Sequence, residues 1–405
     1  MVRRLLFWFH LIVGSVFGLF IAFMAGTGCI LSFQRLSFDW AERGIQALPG
    51  TATHALPVED LVRRAQMVEH TPPPSITISS EPFSPVVFHT GRFTVLYLNP
   101  YNGAVLGHGA VGVRNFFATV EGLHRWFGAY GRLRDPARST KAAVNLGLLF
   151  LLLSGFVLWL PKKFTRKHLR PIVWPKRGPR GRAKNWNWHN SAGVWVALPL
   201  SIIVLTGAVL SYDWANNLLF RATGNIPSPP DHKFSSSGAT RVLRGYTPWQ
   251  PLIARVQMQV FGWRTITMDL PDDPRVAPAA AVVSFTIDRG NGGQVNKQSR
   301  LVLRQETGEV VEWIPFASEN LGQRLRELAR WTHTGESAGV AGQVVALLTS
   351  LGALLLVWTG LSLAMHRLFA WRARRKRAAS PTKESVRASP EISAPIALRQ
   401  PGGPT

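Results

Sequence analysis

Residues 5–33 read LLFWFHLIVGSVFGLFIAFMAGTGCILSF, 29 residues without one Asp, Glu, Lys or Arg. A helix needs about 20 residues to cross a hydrocarbon core of about 30 Å, so this run can span a bilayer. It exceeds the apolar stretch of about 7–15 residues in a secretory signal, and Gly26 stands where a lipoprotein-type cleavage site wants an apolar residue. The block is therefore expected to stay in the protein. Three similar blocks follow, Ala142–Leu160, Val194–Tyr212 and Val340–Met365. A length of 405 residues would suit two or three soluble domains, but this distribution makes the chain a polytopic membrane protein.

The charge agrees. The net charge is +24, which in a soluble protein would point to nucleic acid. Here it gathers at the ends of the apolar blocks. Pro161–Trp186 carries ten Lys/Arg and no acid, Arg3 and Arg4 precede the first block, and His366-Arg367 opens a basic tail. By the positive-inside rule both termini and the middle segment are expected in the cytoplasm. Gln34–Thr140 and Asp213–Ala338 then face the other side, the periplasm if the host is a bacterium. Cys29 is the single cysteine, so internal disulfides and thiolate clusters are excluded and any metal falls to His or carboxylate.

Self-comparison adds a repeat. Phe9-His10 is followed by Gly14 and, seventeen residues after the histidine, by Thr27-Gly28; Trp188-His189 is followed by Gly193 and, at the same spacing, by Thr206-Gly207. Blocks two and four contain Ser154-Gly155 and Thr359-Gly360 near their ends, and each is preceded by a histidine, His124 or His333. The expected plan is helix, extramembrane module, helix, stated twice in one orientation. In segments it reads 1–33 helix, 34–120 first module, 121–161 histidine segment and helix, 162–187 basic loop, 188–213 helix, 214–332 second module, 333–366 histidine segment and helix, and 367–405 tail.

The modules read as α+β. The first has a helix over Val58–Val68, strands at Ser75–Ser80, Val86–His89 and Thr94–Leu98, and an Asn99–Gly103 turn before Ala104-Val105-Leu106. The second has a helix over Trp249–Phe261 and strands at Arg264–Leu270, Ala281–Ile287, Arg300–Arg304 and Glu309–Ile314. Ile226–Ser237 and Asp288–Asn296 read as loops, and the tail beyond Ala378 as disordered.

Eleven histidines are present. His54, His70, His89, His108, His168 and His232 lie in loops or mixed strands without a partner pattern and are read as solvated or structural. His10, His124, His189 and His333 recur at helix ends. One such ring suits the interfacial belt, but four in matched contexts point to function. Gly14, Gly128 and Gly193, four residues after His10, His124 and His189, are expected to leave a slot beside the imidazole. A flat macrocycle needs such a slot, and two facing histidines complete six-coordinate iron, which fits heme b. Depth pairs His10 with His189 and His124 with His333, giving two bis-His sites, with His366 a competitor at the cytoplasmic side. Zinc would want three or four converging ligands and a proton relay an intramembrane carboxylate, and the blocks supply neither.

These residues resemble a known family, the PepSY-associated transmembrane helix proteins, which include iron-regulated inner-membrane ferric-siderophore reductases. The resemblance runs from Arg3 to about Arg367. It rests on Phe7–Gly14, Leu123–Gly128, Trp188-His189 through Gly193, and Thr332–Gly339, with Tyr97–Leu106 similar to the closing hairpin of a PepSY module. It implies an all-α membrane core of four helices with two periplasmic PepSY-like α+β modules, heme-bearing helices, and reduction of a periplasmic ferric-siderophore or similar ferric chelate. Without a nicotinamide or flavin fingerprint, the electron donor is expected to be a quinol or a separate flavoprotein. The competing reading is a non-enzymatic, membrane-anchored sensor or regulatory binding module.

Overall fold

A computed structural model describes all residues except 52–53, 162–164, 166–169, 171–172, 228–247, 271–281 and 380–405. Nearly all of the expected tail, most of the Ile226–Ser237 loop and part of the basic segment lie outside the described residues. Four helices are long and apolar enough to cross a membrane: α1 (Val2–Leu31), α5 (Arg134–Trp159), α6 (Gly181–Ser211) and α10 (Gly339–Ala379). α6 takes in Gly181–Trp186, which the charge pattern assigned to the basic loop.

The four helices form a bundle in which α1 and α6 each pack against both α5 and α10. Side chains interlock with small residues, Phe17 against Gly147 and Val196 against Gly352, the close approach that apolar helices use where lipid removes the hydrophobic drive. Ile21, Val144, Leu200, Val204 and Ala353 are buried between helices, while Leu19, Leu198, Leu348 and Trp358 stand on the outside, as a lipid-facing surface requires.

The extramembrane part departs from the expectation of two separate modules. The first segment holds α2 (Gln34–Glu42), α3 (Val58–Glu69), strands β1 (Ser75–Ser79), β2 (Val86–His89), β3 (Val95–Leu98) and β4 (Val105–Gly107), then α4 (Val111–Trp126). The second holds α7 (Asp213–Ala222), α8 (Gln250–Gln259), β5 (Thr265–Asp269), β6 (Val282–Asp288), β7 (Gln298–Arg304) and β8 (Val310–Pro315), then α9 (Leu321–Thr334). The strands join into one eight-stranded antiparallel sheet, β4-β3-β2-β1-β5-β6-β7-β8. Its centre is the β1–β5 pair, with Ile76 opposite Met268, Thr77 opposite Thr267 and Ile78 opposite Ile266.

Burial explains the fusion. β1 and β5 would each be an exposed edge in a separate module, and pairing satisfies both rows of backbone groups. α3 and α8 share one face, where Leu61, Val62, Ala65, Leu252, Ile253 and Val256 meet Ile76, Phe88, Leu96, Phe285 and Leu301 in a single core. Each large side chain buried there contributes about 2 kcal/mol. The helix starts also interlock, since the Gln250 N–H donates to Glu59 Oε1 (2.8 Å) and the Val58 N–H to Gln250 Oε1 (3.1 Å).

α4 and α9 return the chain to the bundle, α4 against α1 and α9 against α6. α9 starts with a capping box in which the Asn320 side chain accepts from the Gln323 N–H and the Gln323 side chain from the Asn320 N–H. α4 is fixed at its start by Glu42, whose carboxylate accepts from Arg114 Nε and Nη2 (both 2.6 Å), Tyr97 Oη (2.7 Å) and the Ala110 N–H (2.9 Å). Burial first, and the Glu42 carboxylate second, push the Tyr97 phenol above its ordinary range.

Candidate functional site: two histidine pairs

The bundle brings the four histidines together in two pairs. His10 of α1 and His189 of α6 lie with ring centres 6.4 Å apart and planes at 87°; His124 of α4 and His333 of α9 lie 6.4 Å apart at 58°. The pairs sit at opposite ends of the bundle. His10 and Thr27, which bonds His124, are seventeen residues apart on one helix, about 25 Å at 1.5 Å per residue.

Every ring is anchored in the same way, by a hydroxyl that a different helix supplies. His10 Nδ1 lies 2.8 Å from Ser154 Oγ, His124 Nδ1 2.8 Å from Thr27 Oγ1, His189 Nδ1 3.0 Å from Thr359 Oγ1 and His333 Nδ1 3.3 Å from Thr206 Oγ1. Each hydroxyl also donates to the carbonyl one turn earlier, Phe150, Phe23, Leu355 or Ile202, at 2.7–2.9 Å. Its one proton is then committed, so it accepts from the ring. Backbone carbonyls reinforce this, because His189 Nδ1 also lies 3.1 Å from Leu356 O and His333 Nδ1 3.0 Å from Ile203 O, and a carbonyl only accepts. Nδ1 therefore carries the proton, which leaves the Nε2 lone pair available to a metal. A second hydrogen bond that fixes the tautomer is how proteins orient histidines toward metals.

The glycines beside the rings are not those that sequence spacing picked. Gly14 and Gly193 face other helices, where an added Cβ would meet Leu151 (3.6 Å) and Leu356 (3.7 Å). Gly128 lies beyond the end of α4 at φ +74° and closes it, its N–H bonded to Gly122 O. The slots belong to the residue after each anchoring hydroxyl. An added Cβ would lie 3.4 Å from His10 Cε1 at Gly155, 3.7 Å from His124 Cε1 at Gly28, 3.2 Å from His189 Cε1 at Gly360 and 2.9 Å from His333 Cε1 at Gly207. So Ser/Thr-Gly acts as one unit, the hydroxyl holding Nδ1 and the bare Cα making room for the ring edge. The periodicity argument looked along the histidine's own helix, whereas the glycine against each ring edge comes from another.

The remaining histidines stand apart. His366 is exposed, and its neighbour Arg367 lies over Phe7 and Trp8 at 5.0 and 4.6 Å. His89 Nε2 meets Thr77 Oγ1 at 3.0 Å, His108 meets Glu69 at 2.9 Å, and His70 ends α3 in the left-handed region. His168 and His232 lie outside the described residues.

Two imidazoles held at about 2 Å on either side of one metal ion have ring centres about 6 Å apart, close to both pairs. Among the described residues no group of three or more His, Cys, Asp or Glu could hold a metal ion. A two-nitrogen donor set suits a metal whose other ligands come from a macrocycle. Donor type and spacing at each pair suit heme b, which would be held by His10 and His189 at one end of the bundle and by His124 and His333 at the other.

The fold and these pairs define a class, membrane proteins in which a four-helix bundle carrying paired histidines is joined to an antiparallel sheet. A family model described as PepSY-associated TM region matches residues 7–367, and the chain belongs to that family. Among curated proteins no match is found.

Proposed function

We propose that this protein is a two-site heme b electron carrier of a bacterial inner membrane, delivering electrons to a periplasmic ferric-siderophore or similar ferric chelate. The observation that carries this reading is the four-fold anchor, each Nδ1–H held by a Ser or Thr of another helix and the rings paired at 6.4 Å. The basic segments support termini in the cytoplasm and the sheet in the periplasm. The matching His, Ser/Thr-Gly and strand patterns support descent from a duplicated half.

Bound heme supplies reversible one-electron chemistry at iron. The chain's own part is positional. His10 and His189 set one electron station near the cytoplasmic face and His124 and His333 a second near the periplasmic face. Outward apolar residues keep the bundle in lipid, and the packed interior between the pairs excludes water. An acceptor reduced from ferric to ferrous iron holds hard oxygen ligands less tightly, because the charge on the metal falls. No acid–base residue is required for this. The donor is a quinol or a separate flavoprotein, which lends electrons on the cytoplasmic side.

The test is the heme content of the full-length protein purified in detergent from cells with ample heme. Two b-type hemes per chain by pyridine hemochrome, with a reduced-minus-oxidised spectrum of low-spin bis-His form, is the expected result. Wild-type protein without heme would overturn the proposal and leave a membrane-anchored binding module as the better account.

A further inference from the structure

The end of α6, the start of α7, the first turns of α5 and the middle of α9 enclose a cavity of about 370 Å³. Arg138, Arg326, Ser211, Asn216 and Asn217 make its polar side. Val209 and Leu210, from the last turn of the membrane-spanning α6, make its apolar side. The cavity therefore sits where hydrocarbon gives way to headgroups. Arg326 is held in place, since its Nε donates to Asn216 Oδ1 at 2.8 Å, which leaves the terminal nitrogens for a ligand. Arg138 Nη2 reaches Ser211 O at 3.3 Å and Asp213 at 3.6 Å, but that carboxylate is almost fully exposed and such a pair is weak. Lys141 adds a cation beside the lining, donating to Ser211 Oγ at 3.1 Å. Three cations, Arg138, Arg326 and Lys141, thus stand against the acid Asp213.

The surface outside the cavity is apolar. Leu210, Trp214 and Leu218 are exposed along α6 and α7, and Leu321, Leu325 and Leu328 recur at i, i+4 and i+7 as an exposed stripe on α9. Apolar stripes beside a basic pocket, at the level of the membrane surface, suit contact with lipid.

We infer that this cavity is a site for the phosphate of an anionic membrane phospholipid, its headgroup between Arg138 and Arg326 and its acyl chains along Leu210, Trp214 and Leu218. Guanidinium groups are planar forks that bind phosphate oxygens two at a time. The volume holds a headgroup and not two acyl chains, so the chains lie on the apolar surface outside. The excess of cations selects a headgroup without a compensating ammonium, phosphoglycerol over phosphocholine. Because Arg138 belongs to α5 and Arg326 to α9, one phosphate joins the two helices, and α9 carries His333 seven residues further on, about 10 Å along its axis. Lipid binding requires no heme, so the site stands or falls apart from the reading above.

The experiment is a titration of the full-length protein in detergent with phosphatidylglycerol, read by native mass spectrometry, for wild type, Arg138→Gln, Arg326→Gln, the double variant and Arg221→Gln. Arg221, an exposed arginine one turn beyond Asn217 and outside the cavity lining, controls for general charge. The expected result is one saturable lipid in wild type and in Arg221→Gln, with affinity lower by about tenfold or more in each cavity variant. Phosphatidylglycerol should also raise the thermal midpoint of wild type but not of the double variant, and should bind more tightly than phosphatidylcholine. Should the double variant not fold, the two single variants carry the same comparison. Wild-type affinity in both single variants, or an equal loss in Arg221→Gln, would overturn the inference. Displacement of the lipid by excess inorganic phosphate would overturn it too, marking a site for the free anion instead.

Discussion

The inner and outer pairs use the same parts in exchanged places. At the inner pair the histidines sit on α1 and α6, and α5 and α10 provide Ser154-Gly155 and Thr359-Gly360. At the outer pair α1 and α6 provide Thr27-Gly28 and Thr206-Gly207, and the histidines arrive on α4 and α9 from the extramembrane part. α1 and α6 thus each carry a histidine at one end and an anchoring hydroxyl at the other. The inner pair is held wholly by the bundle. The outer pair depends in addition on how the sheet and its flanking contacts aim α4 and α9, so the two should fail in different ways.

The largest separation should come from filling a slot. Gly207→Leu places a side chain where even a Cβ lies 2.9 Å from His333, and we expect loss of the outer heme with the inner one retained, read as a drop from two hemes per chain to about one. Next is Glu42→Ala, which strands the largely buried Arg114 and loosens the start of α4. It should cost about 3 kcal/mol or more and release the outer heme first on heating, as followed by absorbance during a thermal ramp. Smaller again is Ser154→Ala, which removes the acceptor that orients His10. Loss of such a partner weakens metal binding about 10- to 100-fold, so inner heme should be lost faster to a heme-scavenging apoprotein while the outer rate holds. The smallest effect belongs to Gly14→Ala, whose new methyl meets Leu151 at an ordinary 3.6 Å; heme content should be unchanged and stability within about 0.5 kcal/mol of wild type.

Much of this was legible in the chain. Four apolar blocks and their flanking charges disclose the bundle, and depth along the helices matches His10 to His189 and His124 to His333. The α+β strands are also visible from alternation and turn residues. What stayed hidden is of two kinds. The β1–β5 pair joins Ile76 to Met268 across nearly half the chain, and alternation says which face a strand buries but not which strand lies beside it. The slot glycines were in view as repeat markers, yet Thr27-Gly28 is seventeen residues from His10, at the far end of the helix, so its partner had to come from an element whose packing the local pattern does not encode. α9 was an avoidable omission as a full helix, because Asn320 followed three residues later by Gln323 is a readable capping box.

The most direct test of the account is heme stoichiometry and redox titration of the four single variants His10→Ala, His124→Ala, His189→Ala and His333→Ala, purified as full chains. Pairing predicts two classes: His10 and His189 variants lose the same heme, His124 and His333 variants lose the other, and each keeps about one heme per chain with the remaining component near its wild-type potential. Two hemes retained in any variant, or loss of the same component from His10→Ala and His124→Ala, would contradict it.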